Sequence, residues 1–353
     1  MKKMTFFKSA FIALLACVGF VACSTEPIET PVEPEPEIET EPETYTVKLG
    51  WAGEILDVSY EPLTRGEAAD DLYGIQVYST PANSEGKTTW TPYAYGLFDG
   101  VTDISISLIK GYKYKFVATM VVNGKNVIES NYYGNGYYAP FSIYTFTNVA
   151  LGTTFNYSSE NKMTELVEGQ TKLAVDGYTY SHPNTERFYG ELTDYNPEEN
   201  GATAKIDMKR TSFGAKFIVG GKLAVDGKLE IMITDAPKME LELTDGEDQI
   251  EDIFTFKDVD AAWANDAYSE TIDVTLNWIR TDGMTRPLGT HAITFKRNIT
   301  AVIEVNIDNE SSDEGVDFSI DDSETGEMPE GEGATINDGE LVDTEVETET
   351  ETN

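Results

Sequence analysis

Between residues 46 and 308 apolar and polar positions alternate with a period of two, again and again, as they do in strands with one buried and one solvated face. The first run sets Val47, Leu49, Trp51, Gly53 and Ile55 against Thr46, Lys48, Gly50, Ala52 and Glu54. The same spacing predicts strands at Tyr73–Val77, Tyr93–Leu97, Ile104–Leu108 and Tyr112–Met120, then at Ile206–Met208, Phe213–Val219, Leu229–Ile233 and Ile272–Trp278. A long final run goes from Ile293 and Phe295 through Ile299, Ala301, Ile303 and Val305 to Ile307. Turn dipeptides punctuate the runs at Asn123-Gly124, Asp176-Gly177, Asp226-Gly227 and Asp282-Gly283.

This pattern predicts an all-β fold. Residues 46–308 are more than one seven-stranded sandwich needs, so the expectation is two tandem antiparallel β-sandwiches of Greek-key, transthyretin-like type. They are expected at 46–170 and 171–308, with the polar segment Ser158–Thr171 as the break. No repeat of 20 to 50 residues is evident, which excludes propellers and solenoids.

The ends of the chain differ from this middle. Met1-Lys-Lys-Met followed by Phe6 to Ala16 has the basic and apolar regions of a secretion signal, expected to occupy 1–22, and is too short to stay as a membrane span. Two cysteines follow small residues in this leader. Cys23 is the better lipid acceptor, because Ser24-Thr25-Glu26 turn polar at once whereas apolar Val18 to Ala22 follow Cys17. A plain secreted protein cleaved nearby is the alternative. With both cysteines in the leader, the folded region holds no disulfide and no thiol nucleophile.

Residues 23–45 are rich in Pro and Glu and read as an extended tether. Residues 309–353 carry seventeen acids and no base, and read as a disordered acidic tail. The net charge is −38, and between 46 and 308 there are still 38 acids against 22 bases, which argues against nucleic acid as a partner.

Candidate chemistry is sparse. His182 and His291 lie 109 positions apart with no nucleophile elbow, ligand cluster or phosphate loop beside them, and are expected as surface or strand-end residues. Carboxylates are too abundant to single out a glycosidase pair. The chain is therefore read as a non-enzyme without a metal or cofactor. The tail acids do not have the spacing of an EF-hand.

Two stretches remain. Arg65 is the only basic residue between Lys48 and Lys87 and sits in the loop-like Tyr60-Glu-Pro-Leu-Thr-Arg65-Gly66, so cleavage between Arg65 and Gly66 would free the strand before it. Asn131 to Phe141 gathers Tyr132, Tyr133, Tyr137 and Tyr138 among Gly and Asn; it would serve either as a stacking platform for sugars or as a turn whose rings are buried.

The leader through Cys23, Glu61-Pro-Leu-Thr-Arg65 followed by Asp71 to Tyr78, Met208-Lys-Arg-Thr-Ser-Phe-Gly-Ala-Lys216 and Thr294-Phe-Lys-Arg-Asn298 stand in an order that resembles the fimbrillin family, pilin-like surface lipoproteins of anaerobic Gram-negative bacteria. The resemblance spans most of residues 1–308. It implies export as an outer-membrane lipoprotein anchored at Cys23, cleavage after Arg65, and assembly in which a strand from another subunit fills the emptied groove. On these positions Val47, Leu49, Trp51 and Ile55 would belong to the released strand, and Ile299, Ile303, Val305 and Ile307 to the donor. Partners would be other fimbrial subunits, the membrane through the lipid, and host or bacterial surface ligands. A monomeric glycan-binding lipoprotein using residues 131–141 is the alternative.

Overall fold

The structure is a computed structural model that describes residues 42–54, 70–83, 89–100, 103–130, 134, 136–138, 141, 149–157, 173–220, 226–244 and 248–307, with the backbone of 330–331, 335–337 and 340–342. Cys17, Cys23, Ile55, Arg65, Gly66, Tyr132, Tyr133 and the expected break at Ser158–Thr171 lie outside the described residues.

The strands in the first half are β1 (Thr44–Gly53), β2 (Leu72–Pro81), β3 (Thr91–Phe98), β4 (Ser105–Ile109), β5 (Tyr112–Val121) and β6 (Asn156–Tyr157). A short helix, α1 (Gly124–Val127), follows β5. Next come β7 (Leu173–Val175), β8 (Tyr178–Tyr180), β9 (Arg187–Tyr195) and β10 (Thr203–Arg210). The later strands are β11 (Ser212–Gly220), β12 (Gly227–Ile233), β13 (Met239–Leu243) and β14 (Asp248–Thr255); helix α2 (Val259–Ala264) leads to β15 (Ser269–Ile279), β16 (Thr285–Lys296) and β17 (Thr300–Asn306). Short strands β18 (Glu330–Gly331), β19 (Thr335–Asn337) and β20 (Glu340–Val342) complete the set.

The all-β expectation holds, and each alternating run contributes a strand, the last of them two. The eight-stranded first sheet has the order β4-β1-β10-β9-β5-β2-β3-β6. Its two end strands approach each other, since the Ser107 amide of β4 donates to the Tyr157 hydroxyl of β6 at 2.8 Å and the Tyr93 hydroxyl donates to the Ser107 carbonyl at 2.6 Å. The sheet thus rolls, and its inner face carries a core built from Val47, Ile75, Val77, Ile106, Phe116, Ile206 and Met208. On the outer face Leu72, Val117, Val121, Leu173, Tyr189 and Val259 form a second apolar layer. The central strand β2 is consequently buried on both sides, which is why Leu72 and Tyr78 point away from Tyr73 and Ile75 and are still dry.

The second half is a face-to-face pair of four-stranded sheets, β14-β11-β17-β18 and β13-β12-β15-β16. Phe213, Phe217, Val219, Ile303 and Val305 from one sheet interleave with Leu229, Ile231, Val274, Leu276, Trp278 and Phe295 from the other. Phe213 lies at the centre, with ring centroids 4.5 Å from Phe295 and 4.7 Å from Phe256.

Three differences from the sequence reading have local causes. Strands β9 and β10 join the first sheet, so the change of sheet falls at Thr211 between β10 and β11 rather than near residue 170. The ladders are not all antiparallel: β1 runs parallel to β10, and β17 runs parallel to β11 and β18. The long run Ile293–Ile307 is two strands, because Asn298 adopts φ 59° and turns the chain between β16 and β17. Asp176 and Gly177, with φ 49° and 79°, make the predicted tight turn between β7 and β8.

Candidate functional site

Strand β1 is the site that the sequence singles out, and its seat can be described side chain by side chain. It lies between β4, with which it pairs antiparallel from Thr44↔Ile109 to Lys48↔Ser105, and β10, with which it pairs parallel from Lys48↔Thr203 to Gly53↔Met208. Val47 is 0% and Leu49 7% exposed, both on the inner core. Trp51 is half-buried and packs on Tyr73 with ring centroids 5.9 Å apart; its indole Nε1 finds no hydrogen-bond partner among the described residues. Lys48 and Thr46 on the other face stay exposed, so β1 is an inserted strand buried on one side only.

The C-terminal end of β1 is fixed by charge. Gly53 takes φ 79° where an added Cβ would stand 2.6 Å from the Met208 carbonyl oxygen, so only glycine turns here without strain. That turn aims Glu54 across to the second half of the molecule. Arg297 clamps the Glu54 carboxylate through Nη1 at 2.8 Å and Nη2 at 2.9 Å, and the Arg210 backbone N–H adds a third donor at 2.7 Å. Arg297 Nη1 also donates to the Arg210 carbonyl at 2.9 Å, and Nη2 lies 3.5 Å from Asp266. Arg210 Nε donates to Glu186 at 2.9 Å and its Nη1 to Asn298 Oδ1. The Arg297 side chain is 5% exposed, and its Nε has no hydrogen-bond partner among the described residues. A buried guanidinium in a bidentate pair is strongly hydrogen-bonded while paired and costly when its partner leaves.

The segment expected as donor, Ile299–Ile307, is seated differently. Ile303 and Val305 are fully buried and Ile307 nearly so in the second core, whereas Ile299 sits in the turn before β17 and is only half-buried. Ala301 and Val302 are buried as well, so β17 is covered on both faces. Offering this strand to another subunit would empty a slot in the donor itself.

The remaining candidates are placed as follows. Tyr137 is buried in the outer apolar layer and bridges Ser130 and Val149, and burial pushes its hydroxyl pKa up; its ring face is not available for stacking on a sugar. Tyr138 is half-buried. The histidines, expected at the surface or at strand ends, are both buried, His182 just beyond the end of β8 and His291 within β16. His182 shares hydrogen bonds with the Thr234 carbonyl at 2.9 Å and Glu270 at 3.2 Å, and His291 lies 3.2 Å from the Leu288 carbonyl inside β16. Each is held by structural partners. Among the described residues no group of three or more His, Cys, Asp or Glu side chains is placed to hold a metal ion, and no helix is long and apolar enough to cross a membrane.

Three features escaped sequence reasoning. A cleft of about 410 Å³ is lined by Val122, Val127, Glu186 and Asp252 among others, and desolvation pushes the Asp252 carboxyl above its ordinary range. Arg187 is fully buried, with Nε donating to Thr119 at 2.8 Å, and desolvation brings its pKa down to about 10. The Glu54–Arg297 clamp also went unread, although Glu54 closing a one-sided strand was the available signal.

No protein-family model and no curated protein matches the sequence. Solved structures similar to this chain include candidate adhesins, fimbrial proteins and a candidate polysaccharide-binding protein of Bacteroides thetaiotaomicron. A candidate adhesin of Bacteroides ovatus is 12% identical, with a TM-score of 0.34, covering 77% of this chain and 94% of that one. The fimbrial anchor protein Mfa2 of Porphyromonas gingivalis is 8% identical at a TM-score of 0.31, covering 71% and 82%. The tip fimbrial protein Mfa3 of the same organism, truncated at its C-terminus, is also 8% identical at a TM-score of 0.31, covering 76% and 97%.

Proposed function

We propose that this chain is a non-enzymatic, fimbria-associated surface subunit or adhesin, exported as a lipoprotein through Cys23 and assembled by exchange of its first strand after cleavage at Arg65–Gly66. The observation that carries the reading is the seat of β1: an interior strand of the first sheet, apolar toward the core, solvated on its back, and joined onward through the segment that holds Arg65. Removing it would leave two open ladders, on β4 and β10, above the exposed core positions that Val47 and Leu49 fill. A strand of matching alternation would restore both the hydrogen bonds and the burial.

The donor is a strand of a neighbouring subunit. Ile299–Ile307 of a second copy has the right alternation, at the cost of reopening that copy's second core. The glycan-binding alternative is less supported, since the Tyr137 ring is packed inside. The test is an Arg65→Ala chain expressed in its native host. Loss of heat-resistant ladders on a denaturing gel is expected; ladders of normal length in this variant would remove processing from the account.

A further inference from the structure

Arg297 and Arg210 stand out from a strongly acidic chain: a cationic pair, one guanidinium almost fully buried, whose principal carboxylate is delivered by a strand that the proposed assembly discards. We propose that this pair is a carboxylate-binding site in its own right, occupied by Glu54 in the intact chain and by an acidic side chain of an incoming strand from a second copy once β1 has left. The occupant rests on the strand-exchange reading; the site does not.

The surroundings define the ligand class. Three hydrogen-bond donors converge on one carboxylate: two guanidinium nitrogens in fork geometry and the Arg210 amide. This arrangement matches a planar carboxylate and leaves a neutral amide with a repelled N–H₂. The other acids nearby do not replace Glu54. Glu186 is engaged with Arg210 Nε at 2.9 Å, and Asp266, 74% exposed, is paired with Lys209 at 2.7 Å and reaches Arg297 only at 3.5 Å. With Glu54 gone, Arg297 keeps one long contact to an exposed carboxylate and one backbone carbonyl, while its Nε already lacks a partner. The vacated site is thus a buried cation with unmet donors, and a replacement carboxylate is the least costly way to satisfy it.

Charge complementarity points to a second copy. In β1 the alternating apolar positions Val47, Leu49 and Trp51 are followed, just past the strand, by an acid, Glu54; in Ile299–Ile307 an alternating apolar run is followed by Asp308 and Glu310. Both strands also pair parallel to a neighbour in this fold. Because Ile307 lacks the left-handed freedom that Gly53 uses beside Met208, the acid that reaches Arg297 need not be the first one, and Asp308 and Glu310 are both candidates. The clamp would then act as a stop that sets where an incoming strand comes to rest.

The experiment uses the full chain in two arms. In the first, Glu54→Ala empties the site, and sodium acetate is compared with sodium chloride at matched ionic strength. Acetate is expected to raise the Tm by about 2 °C or more, and the gain should vanish in Glu54→Ala with Arg297→Gln; Glu54→Gln serves where the alanine variant folds poorly. Equal Tm values in the two salts would overturn the site. In the second arm, a labelled peptide of residues 299–312 is offered to the chain after tryptic cleavage at Arg65. The native peptide is expected to bind about tenfold more tightly than its Asp308→Asn, Glu310→Gln form, with the difference lost in Arg297→Gln. Equal affinity of the two peptides would overturn the occupant. Failure of both peptides to bind, with acetate rescue intact, would overturn strand exchange while leaving the carboxylate site standing.

Discussion

Strands β1 and β17 look alike in the sequence and differ in the fold. Each is an alternating apolar run that adds parallel to a strand distant in the chain, β10 for the first and β11 for the second. Yet β1 buries one face only, with Val47 and Leu49 dry and Trp51 half-covered, whereas β17 buries Ala301, Val302, Ile303 and Val305 from both sides. At about 1.5–3 kcal/mol for each large apolar side chain fully buried, the two full inserts of β1 contribute about 3–6 kcal/mol. Val302, Ile303 and Val305, with neighbouring Ile307, contribute about twice that. The lesson is that alternation marks a strand that can fill a slot, while the second face decides whether it can leave one. The Glu54 clamp compensates the weaker strand at its end.

Mutation can break or sharpen this comparison. The largest effect is expected at Ile303→Ala, about 4 kcal/mol, because the cavity lies in a core closed on both sides; Leu49→Ala should cost about 2 kcal/mol, since the neighbouring end strand β4 can relax. Urea midpoints at constant slope measure both, and a larger loss at Leu49 would reverse the ranking of the two strands.

Glu54→Gln comes next, at about 2 kcal/mol, less than for a fully buried pair because the Glu54 side chain is 28% exposed. Amide hydrogen exchange in β1 should accelerate in this variant while β17 is unchanged. Equal acceleration in both strands would mean that the clamp stabilises the molecule at large rather than the first strand.

Tyr114→Phe should cost about 1 kcal/mol. The hydroxyl closes the turn between β4 and β5 by accepting from the Ile109 amide at 2.7 Å and donating to its carbonyl at 3.0 Å, and burial pushes its pKa up. The loss should appear as faster exchange in β4, the outer neighbour of β1. An unchanged β4 would place that hydroxyl outside the seat of the first strand.

The smallest effect concerns Asp252, on the second half. Its folded-state pKa is raised by desolvation above the ordinary 3.8, so the folded state favours the protonated form. That contribution is present below the ordinary value and is lost as pH rises through the raised one. Asp252→Asn should therefore raise the thermal midpoint at pH 7 and leave it unchanged at pH 3. A lower midpoint at pH 7 would show that the ionised carboxylate is needed by Asn184 and the Ile253 amide, its hydrogen-bond partners.

Much of the fold was legible because period-two alternation reports a single buried face. Strand β9, with Phe188 inside and Tyr189 outside, went unread because its apolar positions Phe188, Tyr189, Leu192 and Tyr195 do not alternate. The turn at Asn298 was hidden because apolar residues continue on either side of it. The break between halves was misplaced for a related reason: β9 and β10 complete the first sheet through long-range pairing, and nothing local marks which sheet a strand will join. The seat of β1 was legible at Val47, Leu49 and Trp51; the clamp was not, since Glu54 and Arg297 are 243 positions apart.

The central claim is that the first strand is a replaceable part. It is tested most directly by the N-terminal sequence of the assembled, heat-resistant polymer recovered from native cells. A start at Gly66 is the expected result. A lipid-modified Cys23 at the head of every polymerised copy would contradict it.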